Sequence, residues 1–474
     1  MSASNLELTD VQGLVTWGYR DLPAARMVLL RAGESAQPGA WVRSLLEKVT
    51  NAGANPTATA LNVAFTPGAL TRMGLPAGAL AMFSDEFRSG MTTPHRSLAL
   101  GDADESAPER WLWGGPSTPT IDALLLLYAG DAASLDGLVS QESAAWTSFG
   151  LVEVQSLPTV DLGRQEHFGF HDGISQPLLE GLPKSGRPDD TVKDGEFLLG
   201  YQNEYGLYTD RPLLSGDADP GQTLPSDAAG SGRRDLGRNG TYLVLRQLAQ
   251  DVAGFWSHLD EATRRPDGSY DTAARTWLAS RILGRWPSGA PLVLAPSNDD
   301  ASLADANDFR YFQADAAGLR CPIGAHVRRA NPRDSLDPQP GTDASVAVGK
   351  RHRIIRRGRS YGAPDGTEER GLYFLCVCAN IARQFEFIQH SWVNNPKFAG
   401  LYDDADPLVG VHGAEGATLT VQAAPVRRRF KGLPRFVTVR GGAYFFLPGL
   451  RALRYLAGPE QRPSQAGVTA PTSS

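Results

Sequence analysis

The apolar residues of this 474-residue chain come in short runs, never in long ones. Positions 24–33, 59–65, 119–128 and 151–155 each hold a run of strand length, and the segments between them space their apolar residues at helical intervals. Trp41, Leu45 and Val49 share one face of a predicted helix over 40–50, and Leu135, Leu138, Val139 and Trp146 share one face of another over 132–149. With a helix at 67–73 and a weaker strand at 97–100, the order is that of a split β-α-β repeat. Runs such as 123–129 and 372–379 fall far short of the ~20 residues that cross a bilayer, so no membrane span is expected.

The second half repeats this alternation in expanded form. The stretch 213–240 is dense in Gly, Pro, Asp and Ser and reads as a loop or connection. Beyond it come a strand at 241–246 and a helical region over 249–286, broken at Pro266-Asp267-Gly268. Strands are predicted at 352–357, 371–378 and 435–447, and helices at 381–392 and 450–456. The chain therefore reads as α+β in two domains, 1–212 and 241–460, joined by 213–240 and followed by a disordered tail over 461–474.

Charge and cysteine content narrow the function. Lys plus Arg number 46 against 52 Asp plus Glu, a net charge of −6, which argues against nucleic acid or an anionic membrane surface as the main partner. Three cysteines cannot form a disulfide framework, and Cys376 and Cys378 read as buried small hydrophobes on one strand face. The start of the chain holds no secretory signal, so a cytoplasmic setting is expected. No phosphate loop, H-E-x-x-H zinc motif, G-x-S-x-G elbow or C-x-x-C-H haem attachment occurs.

Three polar clusters remain. In H-F-G-F-H-D-G-I-S-Q-P, 167–177, Gly169 and Gly173 bracket Asp172 and permit backbone angles closed to other residues, although an Asp-Gly pair is also an ordinary turn. In C-P-I-G-A-H-V-R-R-A-N-P-R-D, 321–334, His326 has small neighbours and can ligate a metal or a haem iron, with Arg328, Arg329 and Arg333 near enough for a bound anion; a lone His is more often structural. In H-R-I-I-R-R-G-R-S-Y-G, 352–362, strand alternation sends Ile354 and Arg356 to one face and Ile355 and Arg357 to the other.

Together these clusters resemble the dye-decolourising (DyP-type) haem peroxidases, in the longer subgroup of that family. Its G-x-x-D-G motif is similar to Gly169 to Gly173, its proximal-histidine segment to 321–334 and its distal-arginine segment to 354–358. The opening D-V-Q-G at 10–13 and G-L-Y-F-L-C-V-C-A-N-I-A-R-Q-F-E-F-I-Q at 371–389 are similar too, in family order. The resemblance implies two ferredoxin-like domains, each an antiparallel sheet with helices packed on it, and one non-covalent haem b per chain, held mainly by the C-terminal domain. It makes His326 the axial iron ligand, with Arg328 and Arg333 toward the haem carboxylates and Leu372 and Phe374 as apolar residues over the distal face. Asp406 becomes the partner of the second imidazole nitrogen, with Asp403 and Asp404 close by in the same acidic loop. Tyr361 resembles a position from which electrons are taken from bulky dyes at the surface.

The implied reaction reduces hydrogen peroxide and oxidises dyes, phenols or other small aromatic donors one electron at a time. Asp172 would be its acid–base group and Arg356 the fixed cation. An aspartate base stays ionised at lower pH than a histidine, so activity should favour mildly acidic conditions. The alternative is a protein that binds, delivers or strips iron from haem without turning over peroxide. It would need His326 and the arginines, but not Asp172 beside Arg356.

Overall fold

The computed structural model describes residues 6–182 and 186–458, so the tail predicted at 461–474 lies outside the described residues. The first half runs β1 (Ala24–Ala32), α1 (Pro38–Leu45), β2 (Thr59–Phe65), α2 (Pro94–Leu100), β3 (Ala123–Ala129), α3 (Ala132–Ser148) and β4 (Leu151–Pro158). Its strands pair antiparallel in the order β2–β3–β1–β4. β3 is buried at every position, and its unbroken apolar run fits a central strand covered on both faces.

The second half has the same topology. β5 (Thr241–Gln250) leads through α4 (Val252–Ala262), α5 (Thr272–Leu283) and α6 (His326–Ala330) to β6 (Ile355–Arg356), β7 (Arg359–Tyr361), β8 (Gly371–Cys378), β9 (Val437–Leu447) and α7 (Leu450–Leu456). The order is β6–β8–β5–β9, with β7 also on β8. Phe446 of β9 pairs with Phe65 of β2, so the two ferredoxin-like units share one nine-stranded sheet.

Alternation sorts the core into two layers. Tyr242 and Val244 of β5, Cys376 and Cys378 of β8 and Phe446 of β9 pack on the face that also takes Trp41, Leu45 and Trp146. Leu243, Leu245, Leu375, Val377 and Phe445 pack on the opposite face, against residues such as Val11, Leu14 and Leu22. Cys376 and Cys378 are free, fully buried thiols.

Some local expectations change. Residues 97–100 are not a strand but the end of α2, which Pro94 starts at the first helical turn and Gly101 ends in a left-handed conformation, φ 79°. The strand predicted at 352–357 pairs only at β6 and resumes at β7. Gly358 lies between them, so close to β8 that a Cβ would come within 2.8 Å of the Tyr373 carbonyl. The helix predicted at 381–392 is wound as two π-helical segments, Ala382–Glu386 and Ile388–Val393. The 213–240 stretch carries only two-residue strands, Leu213–Leu214 against Arg234–Asp235, and is stapled by buried Arg211, which binds Asp227 and Asp235.

Candidate active site

A cavity of about 310 Å³ lies over the C-terminal part of the first core face. Its floor follows strand alternation: Arg246, Leu248 and Gln250 from β5, Leu372 and Phe374 from β8, and Val439 from β9 all face it. Loop 166–175, α6 and the Leu408–Gly410 turn supply the walls.

Asp172 enters from the loop. Gly169 and Gly173 both take left-handed angles, φ 91° and 79°, which turn the chain sharply around it. Arg356 Nη1 donates to Asp172 Oδ1 at 2.9 Å, and the Arg356 backbone N–H donates to Gln176 Oε1 at 3.0 Å. Burial pushes the Asp172 carboxyl up, but the Arg356 guanidinium and the Gly173 N–H outweigh it and hold the group below the usual carboxylate range. Ile354 faces the cavity with Arg356, while Ile355 is buried in the opposite core layer and Arg357 donates to the Leu14 and Val15 carbonyls.

His326 begins α6 on another wall. Its Nδ1 lies 2.9 Å from Asp406 Oδ2, and Asp406 Oδ1 accepts the Leu408 and Val409 backbone N–H groups at 2.9 and 3.0 Å. Burial lowers the imidazole's proton affinity, and the Asp406 charge more than restores it, so the pKa ends raised. Asp404 faces elsewhere, onto Thr420 and Arg429.

Two expected residues are not where the resemblance puts them. Arg328 does not line the cavity; its guanidinium binds the Asp315 carboxylate and the Asp315 and Cys321 carbonyls in the protein interior. Tyr361 is 5% exposed and is not a surface residue. Its ring stacks on Tyr373 at 4.5 Å, in the core layer across the sheet from the cavity. Arg333 does reach the cavity, with its guanidinium over the Phe309 ring and bonded to Asn307 and Phe309. His171 points its Nδ1 to the Ser288 carbonyl at 3.1 Å, and His167 its Nε2 to the Tyr361 carbonyl at 2.8 Å.

Sequence reasoning passed over Arg353, Glu166 and Gln250, which all line the cavity. Gln250 was readable, since it continues the every-second-residue pattern of Arg246 and Leu248.

These walls fit a flat apolar group with one metal bond and anionic edges. With Nδ1 on Asp406, His326 has Nε2 left as a ligand atom, and among the described residues no hydrogen bond reaches it. Arg353 approaches Asp190 at 3.5 Å, and its buried Nη2 has no hydrogen-bond partner among the described residues, a fit for a carboxylate.

Residues 313–403 match the family model described as Dyp-type peroxidase, C-terminal. Over 96% of its length the chain is 30% identical to dye-decolorizing peroxidase msp1 of Mycetinis scorodonius, and it covers 88% of that protein. The chain belongs to the dye-decolourising peroxidase family. It is also 31% identical to multifunctional dye peroxidase DyP2 of an Amycolatopsis species, over 73% of each chain. An ancestral D-type dye-decolourising peroxidase has the same fold with a TM-score of 0.77 and 26% identity, over 95% of this chain and 99% of that one. A dye-decolourising peroxidase solved in complex with 2,6-dimethoxyphenol matches at 0.75 and 25% identity, over 95% and 100%. The chain is accordingly a haem peroxidase, and the cavity is where its members' chemistry has to be sought. Among the described residues no helix is long and apolar enough to cross a membrane.

Proposed function

We propose that this peroxidase reduces hydrogen peroxide with Asp172 as acid–base group and Arg356 as fixed cation, and that it oxidises dyes, phenols and other small aromatic donors. The observation that carries this reading is the 2.9 Å Arg356–Asp172 contact in the same cavity as His326. The cofactor is one non-covalent haem b per chain. His326 would hold the iron through Nε2 with Asp406 fixing the imidazole, Arg333 and Arg353 would meet the carboxylates, and Leu372 and Phe374 would line the apolar part of the pocket. The haem supplies, when bound, the iron centre at which peroxide is reduced and donors give up electrons.

The protein's part is proton transfer and charge stabilisation. Ionised Asp172 would accept a proton from one oxygen of hydrogen peroxide and return it to the other, which would leave as water as the O–O bond breaks, with the two electrons supplied by the bound haem. The Arg356 guanidinium beside Asp172 both keeps that carboxyl ionised and stabilises charge on the departing oxygen.

The same reading takes 1–212 and 241–460 as the domains, with 213–240 as their connection. It places the protein in a reducing compartment such as the cytoplasm, supported by three free, buried cysteines. Absorption spectra of the haem-loaded protein test the whole. A Soret band that changes on adding peroxide and recovers on adding a phenol is the expected result. A band indifferent to peroxide would favour the haem carrier, and no band would end the haem reading.

A further inference from the structure

Glu166 sits in the loop that carries Asp172 and lines the same cavity, yet the proposed mechanism makes no use of it. Its contacts are organised. Oε1 accepts the Phe170 backbone N–H at 3.0 Å, and Oε2 accepts the Phe168 N–H at 2.9 Å and Gln250 Nε2 at 2.7 Å. Its own backbone closes the same turn, with the Glu166 N–H donating to the Phe170 carbonyl at 2.9 Å and the Gly169 N–H to the Glu166 carbonyl at 2.8 Å. One carboxyl group thus gathers two N–H groups of the turn that precedes Asp172 and fastens the turn to the last residue of β5.

We propose that Glu166 is the positioning residue of the active site, tying the loop that presents Asp172 to the sheet through Gln250. This inference rests on the reading of Asp172 as the acid–base group. Gly169 and Gly173 make the loop backbone permissive; the Asp172 N–H on the Arg164 carbonyl at 2.9 Å and a Gln165–His171 bridge close it on itself, and Glu166 adds the side-chain tie that fastens it to the sheet. A displacement of about 1 Å at a catalytic group can cost about 100-fold in rate, which gives such a tie its weight.

The environment of Glu166 supplies a signature separate from rate. Facing the same cavity are His171 and Asp172 from its own loop, Arg246 and Gln250 from β5, Arg356 from β6, His326 from α6, and Arg435 ahead of β9. Burial pushes the Glu166 carboxyl up to about 7, the three N–H donors oppose that rise, and the negative charge of Asp172 adds to it. A group that only filled space would not report on Asp172, whereas the charge of Asp172 is expected to raise the Glu166 titration.

The test pairs stopped-flow mixing with hydrogen peroxide and infrared titration of the carboxyl groups, both on the haem-loaded protein. Glu166→Gln turns one acceptor oxygen into a donor facing N–H groups. It should slow the reaction with peroxide about 10- to 100-fold and remove a carboxyl titration near neutral pH. Gln250→Leu removes one donor, so the Glu166 titration should move to higher pH while the rate falls. Asp172→Asn removes the neighbouring charge, so the Glu166 titration should move to lower pH. A Glu166→Gln protein reacting at wild-type rate, or a titration that moves in neither of the other variants, would overturn the proposal; if Glu166→Gln fails to fold, Gln250→Leu decides alone. Should Asp172→Asn itself react at wild-type rate, the fault lies instead in the reading of Asp172.

Discussion

Arg356 and Asp172 stand 184 positions apart in the chain and meet at 2.9 Å, the first from a two-residue strand and the second from a glycine-flanked turn. The contact joins the two halves of the molecule at the cavity. It also orders the energetics there, because the guanidinium overrides the cost of burying the carboxylate.

Removing that cation separates its two effects. Arg356→Leu should slow the reaction with peroxide by about 10²–10³, the scale of one preorganised donor. The ionised form of Asp172 is the active one, and activity falls as pH drops through its pKa. In the wild type that acidic limb should lie below the ordinary aspartate value of about 3.9. Without Arg356 the main opposition to burial is lost, and the limb should move to higher pH. Rates measured across pH in both proteins check the shift.

Haem retention should depend on one histidine. His326→Ala should lose the cofactor or hold it loosely, because its ring nitrogen is the proposed bond to iron. His167→Ala and His171→Ala should keep a nearly unchanged spectrum, since their rings bond to the Tyr361 and Ser288 carbonyls. Haem titration of the three variants distinguishes them, and loss of haem in either of the last two would point to a different ligand.

Asp406→Ala should act through His326. Loss of the partner frees the imidazole to rotate and weakens its basicity, so haem affinity should fall about 10- to 100-fold, as for outer partners of other metal ligands. The Leu408 and Val409 N–H groups also lose their acceptor. An unsatisfied buried donor costs about 1–3 kcal/mol, which should show as a lower midpoint in denaturant. Unchanged haem affinity would remove Asp406 from the cofactor's support.

Much of the cavity was legible because it obeys alternation. Ile354 and Arg356 on one face, Ile355 and Arg357 on the other, and Leu372 with Phe374 all follow from a period of two. The same rule accounts for Tyr361: five residues beyond Arg356 is an odd interval, and the ring falls on the opposite face against Tyr373. Arg328 and Arg333 were not separable in sequence, because their directions depend on where the one-turn α6 ends and on the left-handed Arg333 backbone, φ 56°. The tie between Glu166 and Gln250 was hidden for another reason. Their bond spans 84 positions and exists only once the loop lies on the sheet. Residues 97–100 misled because a short apolar run carries no period of its own, and Pro94 with Gly101 decided for helix.

The account turns on Asp172, and Asp172→Asn tests it most directly. The variant keeps the side chain's shape beside Arg356 but cannot accept the peroxide proton. Stopped-flow mixing of the haem-loaded protein with hydrogen peroxide across pH should show a rate about 10²–10⁴ below wild type, with the acidic limb gone. A variant that reacts at the wild-type rate with the same acidic limb would contradict the assignment of Asp172 as the essential base.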